Sequence, residues 1–390
     1  MKKISVLSFV LLLGYGISFG QFTITHGWNS LQLGGYLIGF YQYQPAYKGD
    51  PNAGDYHKNT FRFDDARLQI KGYVKGAVKY ELEANLADII AFASNPNDPQ
   101  SIPLTEANIR YENPYLNVKV GYFKLPFSAS SNVDKIPSPF MRRAEIANGT
   151  YFSRRDVGFM LYHDIWRQHI NIMAGIVSGV GEGILLGKGD VNGKPEYFGR
   201  VELCSSYYRD EELDKNNLAL PLARVGAGFR YNEKSVFTGD ATGSTDYNIG
   251  NVMTINGVKL SYGADAAFMW HGFSAQFEMD WSRMKPHANT PLATSLAQYN
   301  TNYYRNGGFL VQANYYSKLL RSAFAVRYDE FNPSDLVDGN QQRTVSFAYD
   351  FFCLPYNLTV KVHYDLRLKQ PDTGMKWTED DLRIGVQYVY

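Results

Sequence analysis

From Leu31 to the final Tyr390, apolar and polar side chains exchange places residue by residue in segment after segment. A period of two places one residue type on each face of an extended strand, whereas a helical face repeats at about 3.6 residues. The pattern is clearest at 77–87, where Val78, Tyr80, Leu82, Ala84 and Leu86 alternate with Lys79, Glu81, Glu83, Asn85 and Ala87. It returns at 273–283, with Phe273, Ala275, Phe277, Met279 and Trp281 against Ser274, Gln276, Glu278 and Asp280. It returns again at 357–368, with Leu358, Val360, Val362, Tyr364, Leu366 and Leu368 against Thr359, Lys361, His363, Asp365 and Arg367. Sixteen strands are expected, at 31–44, 61–74, 77–87, 104–111, 116–124, 155–163, 168–177, 197–205, 222–232, 258–269, 273–283, 307–317, 321–331, 341–351, 357–368 and 379–390.

The connections sort by parity. Those after even-numbered strands are mostly a few residues, among them 75–76, 112–115, 164–167, 270–272, 318–320 and 352–356. Those after odd-numbered strands are longer: 45–60, 88–103, 125–154, 178–196, 233–257, 284–306, 332–340 and 369–378. The stretch 206–221 breaks the rule, being long where a short turn belongs. An up-and-down meander with tight turns on one side and long loops on the other is the pattern of a transmembrane barrel, turns periplasmic and loops extracellular. In hydrocarbon every backbone amide must be paired, and a sheet achieves that only by closing on itself. The expected fold is therefore all-β, a 16-stranded antiparallel transmembrane β-barrel, wide enough to leave an aqueous bore lined by the polar faces.

Composition agrees once the alternation is understood. A length of 390 residues would otherwise suggest two or three soluble domains. Mean hydropathy is −0.32 because half of each strand faces water. Beyond the first twenty residues there is no sustained apolar run of the roughly 20 residues that a spanning helix needs. The 39 Lys and Arg against 38 Asp and Glu exclude a basic nucleic-acid binder. Met1–Gly20 reads as a cleaved export signal, with Lys2 and Lys3, the apolar run Ile4–Leu13 and a small-x-small end at Ser18–Gly20. The remainder, 21–390, is expected to be one barrel domain in the outer membrane of a diderm bacterium. Aromatics gather beside the tight turns, as at Tyr111 and Tyr115, Trp270 and Phe273, and Phe351, Phe352 and Tyr356, the headgroup-level position that such rings favour. Cys204 and Cys353 are too few for a disulfide framework, and no bridge between them is expected.

Several stretches, in order, resemble the phosphate-selective porin O and P family of sixteen-stranded outer-membrane channels. They are Arg67–Gly72 running into Tyr80–Asp88, Glu106–Tyr111 followed by Val120–Ser128, then Arg154–Gly158, and Pro195–Leu203 with its Gly199–Arg200. The resemblance implies a homotrimer whose third loop folds into the pore as a constriction. By position that loop is 125–154, also the longest here. From Lys124 to Asp156 stand six basic residues, Lys124, Lys135, Arg142, Arg143, Arg154 and Arg155, against the acidic Asp134, Glu145 and Asp156. At a pore neck this excess would attract anions; the competing reading makes these charges solvated or paired with wall carboxylates. Arg67, Lys71, Lys79, Arg110, Lys119, Arg224, Arg230, Lys361, Arg367 and Arg383 are candidate basic wall residues. They compete with Glu81, Glu83, Glu106, Glu202, Asp265, Glu278, Asp280 and Asp365. The dense ladder of arginines and clustered lysines found in phosphate-selective members is not present. The closing strand, ending at Tyr390, looks like the signal by which such barrels are recognised for assembly.

The function expected is passive diffusion of small hydrophilic solutes with an anion, and possible phosphate, preference; the alternative is a general or sugar-permeable porin. The partners expected are outer-membrane lipid, two further copies of the chain, and small anions or other small polar solutes, with no nucleic acid and no cofactor. An outer-membrane enzyme would need a nucleophile, base and orienting group in mutual reach. His363 beside Asp365 is the nearest approach, with no serine in an elbow motif, and His163 and His169 have poor spacing for a metal. No catalytic or metal-ligating residue is therefore expected.

Overall fold

A computed structural model describes residues 22–27, 29–45, 58–75, 77–89, 103–133, 136, 138–147, 152–166, 169–181, 193–205, 212–234, 257–288, 290–354, 357–368 and 380–390. The expected export signal and Lys135 lie outside them. The strands are β1 (Phe22–His26), β2 (Asn29–Gln44), β3 (Lys58–Val74), β4 (Val78–Asn85), β5 (Leu104–Tyr111), β6 (Asn117–Lys124), β7 (Arg155–Ile165), β8 (Ile170–Val177) and β9 (Glu196–Cys204). They continue as β10 (Leu222–Lys234), β11 (Gly257–Trp270), β12 (Phe273–Pro286), β13 (Tyr304–Ser317), β14 (Ser322–Asn332), β15 (Gln342–Leu354), β16 (Leu358–Arg367) and β17 (Asp381–Val389). Each of β2 to β17 pairs antiparallel with its neighbours in sequence, and β17 returns to β2 from Leu382↔Tyr43 to Val389↔Tyr36. Sixteen strands thus close a barrel without a free edge.

All sixteen expected strands are present with ends moved by a few residues. The short β1 was not anticipated: five residues carry too little alternation to register. It pairs with β2 from Phe22↔Leu33 to His26↔Asn29. There it occupies the edge of β2 that the chain's end vacates at Tyr390, which exchanges two backbone bonds of 3.0 Å with Gly35. Cys353, expected in a turn, lies in β15 at a register shift between Phe352 and Leu354.

Burial is inverted relative to a soluble protein. From Ser274 to Ser282 the buried residues of β12 are Ser274, Gln276, Glu278, Asp280 and Ser282, while Phe277, Met279 and Trp281 are exposed; Met284 and Pro286 are buried at the strand's end. Across the barrel the exposed large residues are Leu, Ile, Val and aromatics, and the buried ones include Arg67, Glu83, Arg200, Asp265, Asp329 and Lys361. An apolar exterior around a charged interior is what a lipid-embedded barrel requires.

The turn-side connections are short at 75–77, 112–116, 166–169, 271–272, 318–321 and 355–357. The two-residue hairpin His271–Gly272 has φ of 49° and 82°, matching a type I′ turn, whose twist suits the flanking strands. The exceptional connection, 205–221, has a structural reason. Its residues 212–214 turn up into the bore, where the Glu212 carbonyl accepts from Ser274 Oγ (2.6 Å) and Asn314 Nδ2 (2.8 Å). Leu213 packs on Ala323 and Phe352, and the Asp214 carboxylate accepts the Gly272 N–H at 2.8 Å.

Candidate pore constriction

The connection 125–154 joins β6 to β7, and its bonds go to inward side chains of strands far around the barrel. It carries a single helical turn, α1 (Ala129–Asn132), and a 3-10 turn at Glu145–Ala147. Loop amides donate to wall acceptors: Ser130 N–H to Glu278 (2.7 Å), Met141 N–H to His363 Nδ1 (3.0 Å) and Glu145 N–H to Asp329 (3.1 Å). Loop carbonyls accept from wall donors: Phe127 from Arg200 (3.1 Å), Ser138 from Lys361 (2.6 Å), Arg142 from Arg327 (3.0 Å) and Ile136 from Gln387 (3.3 Å). Two apolar clusters complete the seating. Phe127, Ala144, Ile146, Ala147 and Phe152 pack with Leu310 and Phe331, and Met141 packs with Tyr36, Ile38 and Phe40. A loop without regular ladders meets its backbone's hydrogen-bonding needs in this way, through the polar wall.

Most of the basic residues singled out in this loop are committed. Arg154 and Arg155 are buried, the first donating to the Ser131 carbonyl at 3.3 Å and the second paired with Glu106 at 3.4 Å. Arg143 donates to the Ser130 and Val133 carbonyls at 3.1 and 2.8 Å. Arg142 pairs with Glu145 and lies 3.7 Å from Asp365. Burial pushes the Glu145 carboxyl above the usual carboxylate range, with the Arg142 charge opposing. Lys124 Nζ reaches the Asn132 carbonyl at 3.4 Å.

The wall residues divide in the same way. Arg67 is held by Asp65 (3.0 Å) and Glu83 (2.6 Å). Lys71 and Arg110 both bind Glu81, at 2.9 and 3.0 Å. Lys79 pairs with Glu112 at 2.5 Å. Partial burial raises the Glu112 carboxyl, yet the Lys79 hydrogen bond and charge outweigh it, so Glu112 sits below its ordinary value. Lys119 differs: its Nζ lies 5.4 Å from the Phe123 ring centroid, and no carboxylate among the described residues is within 4.0 Å.

The described residues of loop 125–154 contact inward side chains of β12–β17 and β2 and, through Phe127 and Ser153, also of β9 and β10, while residues 212–214 contact β12 and β13; a space remains along other parts of β4–β10. A cavity of about 600 Å³ opens there, lined by Glu81, Glu106, Lys119, Lys124, Asp164, Glu202 and Arg224 together with Pro126, Ile136, Met160, Tyr162 and Met173. Glu202 is bound by Arg200 at 2.8 Å, and Arg224 lies 3.7 Å from Asp265. The lining itself carries three cations (Lys119, Lys124, Arg224) and four carboxylates (Glu81, Glu106, Asp164, Glu202); adding ion-pair partners among the described residues (Lys71, Arg110, Arg155, Arg200 and Asp265) gives seven cations and five carboxylates.

Sequence reasoning left Arg327 unnamed and named Arg200 only within the family-like stretch, not as a wall residue, yet both help to anchor the loop. Both stand on the inward phase of their strands, so strict alternation would have marked them as wall residues. Their loop partners are carbonyls, which no sequence pattern reveals. His363, the one residue considered for catalysis, accepts the Met141 N–H and contacts Asp365 Oδ1 at 2.8 Å through Nε2, an anchoring arrangement.

Compared with known proteins, residues 32–390 match the family described as phosphate-selective porin O and P. A comparison of the sequence with curated proteins returns no match. Among solved structures, the anion-selective porin from Comamonas acidovorans is similar with a TM-score of 0.60 at 9% identity, over 93% of this chain and 100% of that one. The outer membrane channel DcaP of Acinetobacter baumannii gives 0.57 at 10% identity, over 95% and 99%. The trimer form of OmpT from Vibrio cholerae gives 0.56 at 10% identity, over 93% and 100%. At such identities the likeness is one of fold.

Proposed function

The chain belongs to the phosphate-selective porin O and P family and is a porin of the outer membrane; from that premise we propose that it is a passive channel for small hydrophilic solutes with a modest preference for anions. The passage runs off-axis, between the inward-folded loop 125–154 and the wall of β4–β10, and that loop is the constriction. The observation that carries the preference is the excess, among the described residues, of two cations once those paired behind the cavity lining are included, with Lys119 lacking a carboxylate within 4.0 Å among them. A net positive neck between low-dielectric walls concentrates anions and repels cations. Arg142 and Arg143 contribute less than their formal charge, because Glu145 and loop carbonyls take up their donors. Phosphate would be one permeant anion among others, since the described lining offers no dense array of free donors.

In this reading residues 1–20 are a removed export signal, 21–390 form one barrel domain, and the working unit is a homotrimer in outer-membrane lipid. The test is the reversal potential of the purified protein in a planar bilayer under a KCl gradient. Chloride preference is expected, and Lys119→Glu should abolish or reverse it. A wild-type channel that prefers potassium would sink the anion reading while leaving a general porin.

A further inference from the structure

We propose that the off-axis cavity is a binding station for small carboxylates that carry an apolar body, such as aromatic or medium-chain aliphatic acids. The inference deepens the channel reading above and rests on it. The cavity puts a charge and a greasy floor side by side. Lys119 lies directly across the β6–β7 ladder from Met160, and its Nζ stands near the Phe123 ring. Met160 and Phe123 belong to a buried cluster with Leu125, Val177 and Phe198, against which Tyr162 and Met173 pack from the cavity side. The Tyr162 hydroxyl is committed to Glu112 at 3.1 Å, so its ring is what remains to line the space. From the loop, Pro126 and Ile136 face the same cavity.

The polar lining is largely spoken for, Asp164 being the lining carboxylate without an ion-pair partner among the described residues. Glu81, Glu106 and Glu202 each have cationic partners, and Arg224 lies between Glu202 (3.8 Å) and Asp265 (3.7 Å). Asn132 donates to the Ser128 carbonyl at 3.3 Å and Asn171 to Glu202 at 3.5 Å. A compact tetrahedral dianion needs several donors converging on it to replace its water. A monocarboxylate needs fewer, and an attached ring or chain can bury area on Met160, Tyr162 and Met173 that small inorganic anions cannot use. An ammonium on an apolar floor therefore favours the amphipathic anion.

The experiment measures concentration-dependent block of single-channel current by benzoate, hexanoate, acetate and inorganic phosphate, with the KCl reversal potential recorded on the same preparations. Benzoate and hexanoate should bind about tenfold more tightly than acetate, the discrimination that a modest apolar contact confers. Lys119→Gln should weaken block by all the carboxylates. Met173→Gln should remove the advantage of benzoate over acetate and leave acetate unchanged, which separates the apolar floor from the charge. Equal block by acetate and benzoate, tighter block by phosphate than by either, or benzoate block untouched by Lys119→Gln overturns the proposal. If chloride preference persists in that case, the anion-channel reading survives; if the wild type prefers potassium and benzoate still binds tightest, the station stands and the bulk-selectivity reading falls.

Discussion

Gly228 marks where the inward-folded loop 125–154 presses hardest on the wall, and Gly228→Ala tests whether that contact holds the loop. Gly228 lies on the inward face of β10, and a methyl built there would meet the Phe127 carbonyl oxygen closer than 3.0 Å, a distance that real Cβ contacts do not show. Ordinary contact begins at 3.4 Å, so one partner must retreat by at least 0.4 Å. The wall cannot: Gly228 is in register with Gly263 on β11 and Arg200 on β9, inside two continuous ladders. The loop carbonyl must move instead. It accepts from Arg200 Nη1 at 3.1 Å, so even the least such retreat along the bond reaches the 3.5 Å edge of hydrogen bonding, and the closer approach at this position carries it past that edge. Losing a bond from a charged donor costs roughly 1.5–3 kcal/mol, and that is the expected fall in stability. The assay is urea unfolding of the barrel refolded in lipid vesicles, with single-channel recording to detect added current noise from a loosened loop. Gly39→Ala is the control, since its nearest neighbour would be Phe63 Cε1 at an ordinary 3.4 Å. If Gly228→Ala matches Gly39→Ala in unfolding midpoint and in noise, the loop is not seated as argued.

Three further outcomes follow from the same geometry. Because burial raises the Glu145 carboxyl, the folded state holds that proton at pH values where the unfolded chain has released it. The associated stability is therefore full below the unfolded pKa and is lost as pH rises through the folded value. Acidification through that raised value also strips a negative charge from the loop, so anion preference should grow as pH falls, and a reversal-potential profile identical in Glu145→Gln would refute this. Met279, exposed near the middle of β12, should face lipid, so Met279→Lys is expected to cost about 2–4 kcal/mol in unfolding experiments. The same charge at cavity-lining Asn171 should instead shift selectivity toward anions with little loss of stability, and equal destabilisation would contradict the assigned faces. Tyr390 donates its hydroxyl to the Arg67 carbonyl at 3.0 Å and pairs with Gly35 at the seam of the barrel. Tyr390→Ala should lose about 0.5–1.5 kcal/mol of folding stability. Its abundance in the outer membrane should fall further than that loss explains, and unchanged abundance would count against an assembly role.

The architecture was legible because alternation is a local property. Each residue from Phe273 to Trp281 declares its face by comparison with its immediate neighbours, and sixteen such segments with short and long connections admit few closures other than a barrel. The parity break at 206–221 was visible too, but its cause was not. That Glu212 meets Ser274 and Asn314 inside the bore is a contact between residues 62 and 102 positions apart.

The site was legible only as an inventory. The excess of basic residues from Lys124 to Asp156 can be counted along the chain, but a charge attracts solute only if nothing nearer claims it. Whether Arg154 is held by the Ser131 carbonyl, or Lys119 stands with no carboxylate within 4.0 Å among the described residues, depends on how the loop crosses the bore. The decisive bonds, such as Lys361 to Ser138 across 223 residues and Met141 to His363 across 222, join segments that become neighbours only when the sheet closes. Sequence alone thus determined the two-faced strands, their number and the composition of the longest loop, because those properties reside in adjacent side chains. Tertiary structure decided where the loop is seated against the wall and which of its cations are paired, because electrostatic competition is settled by distance in space.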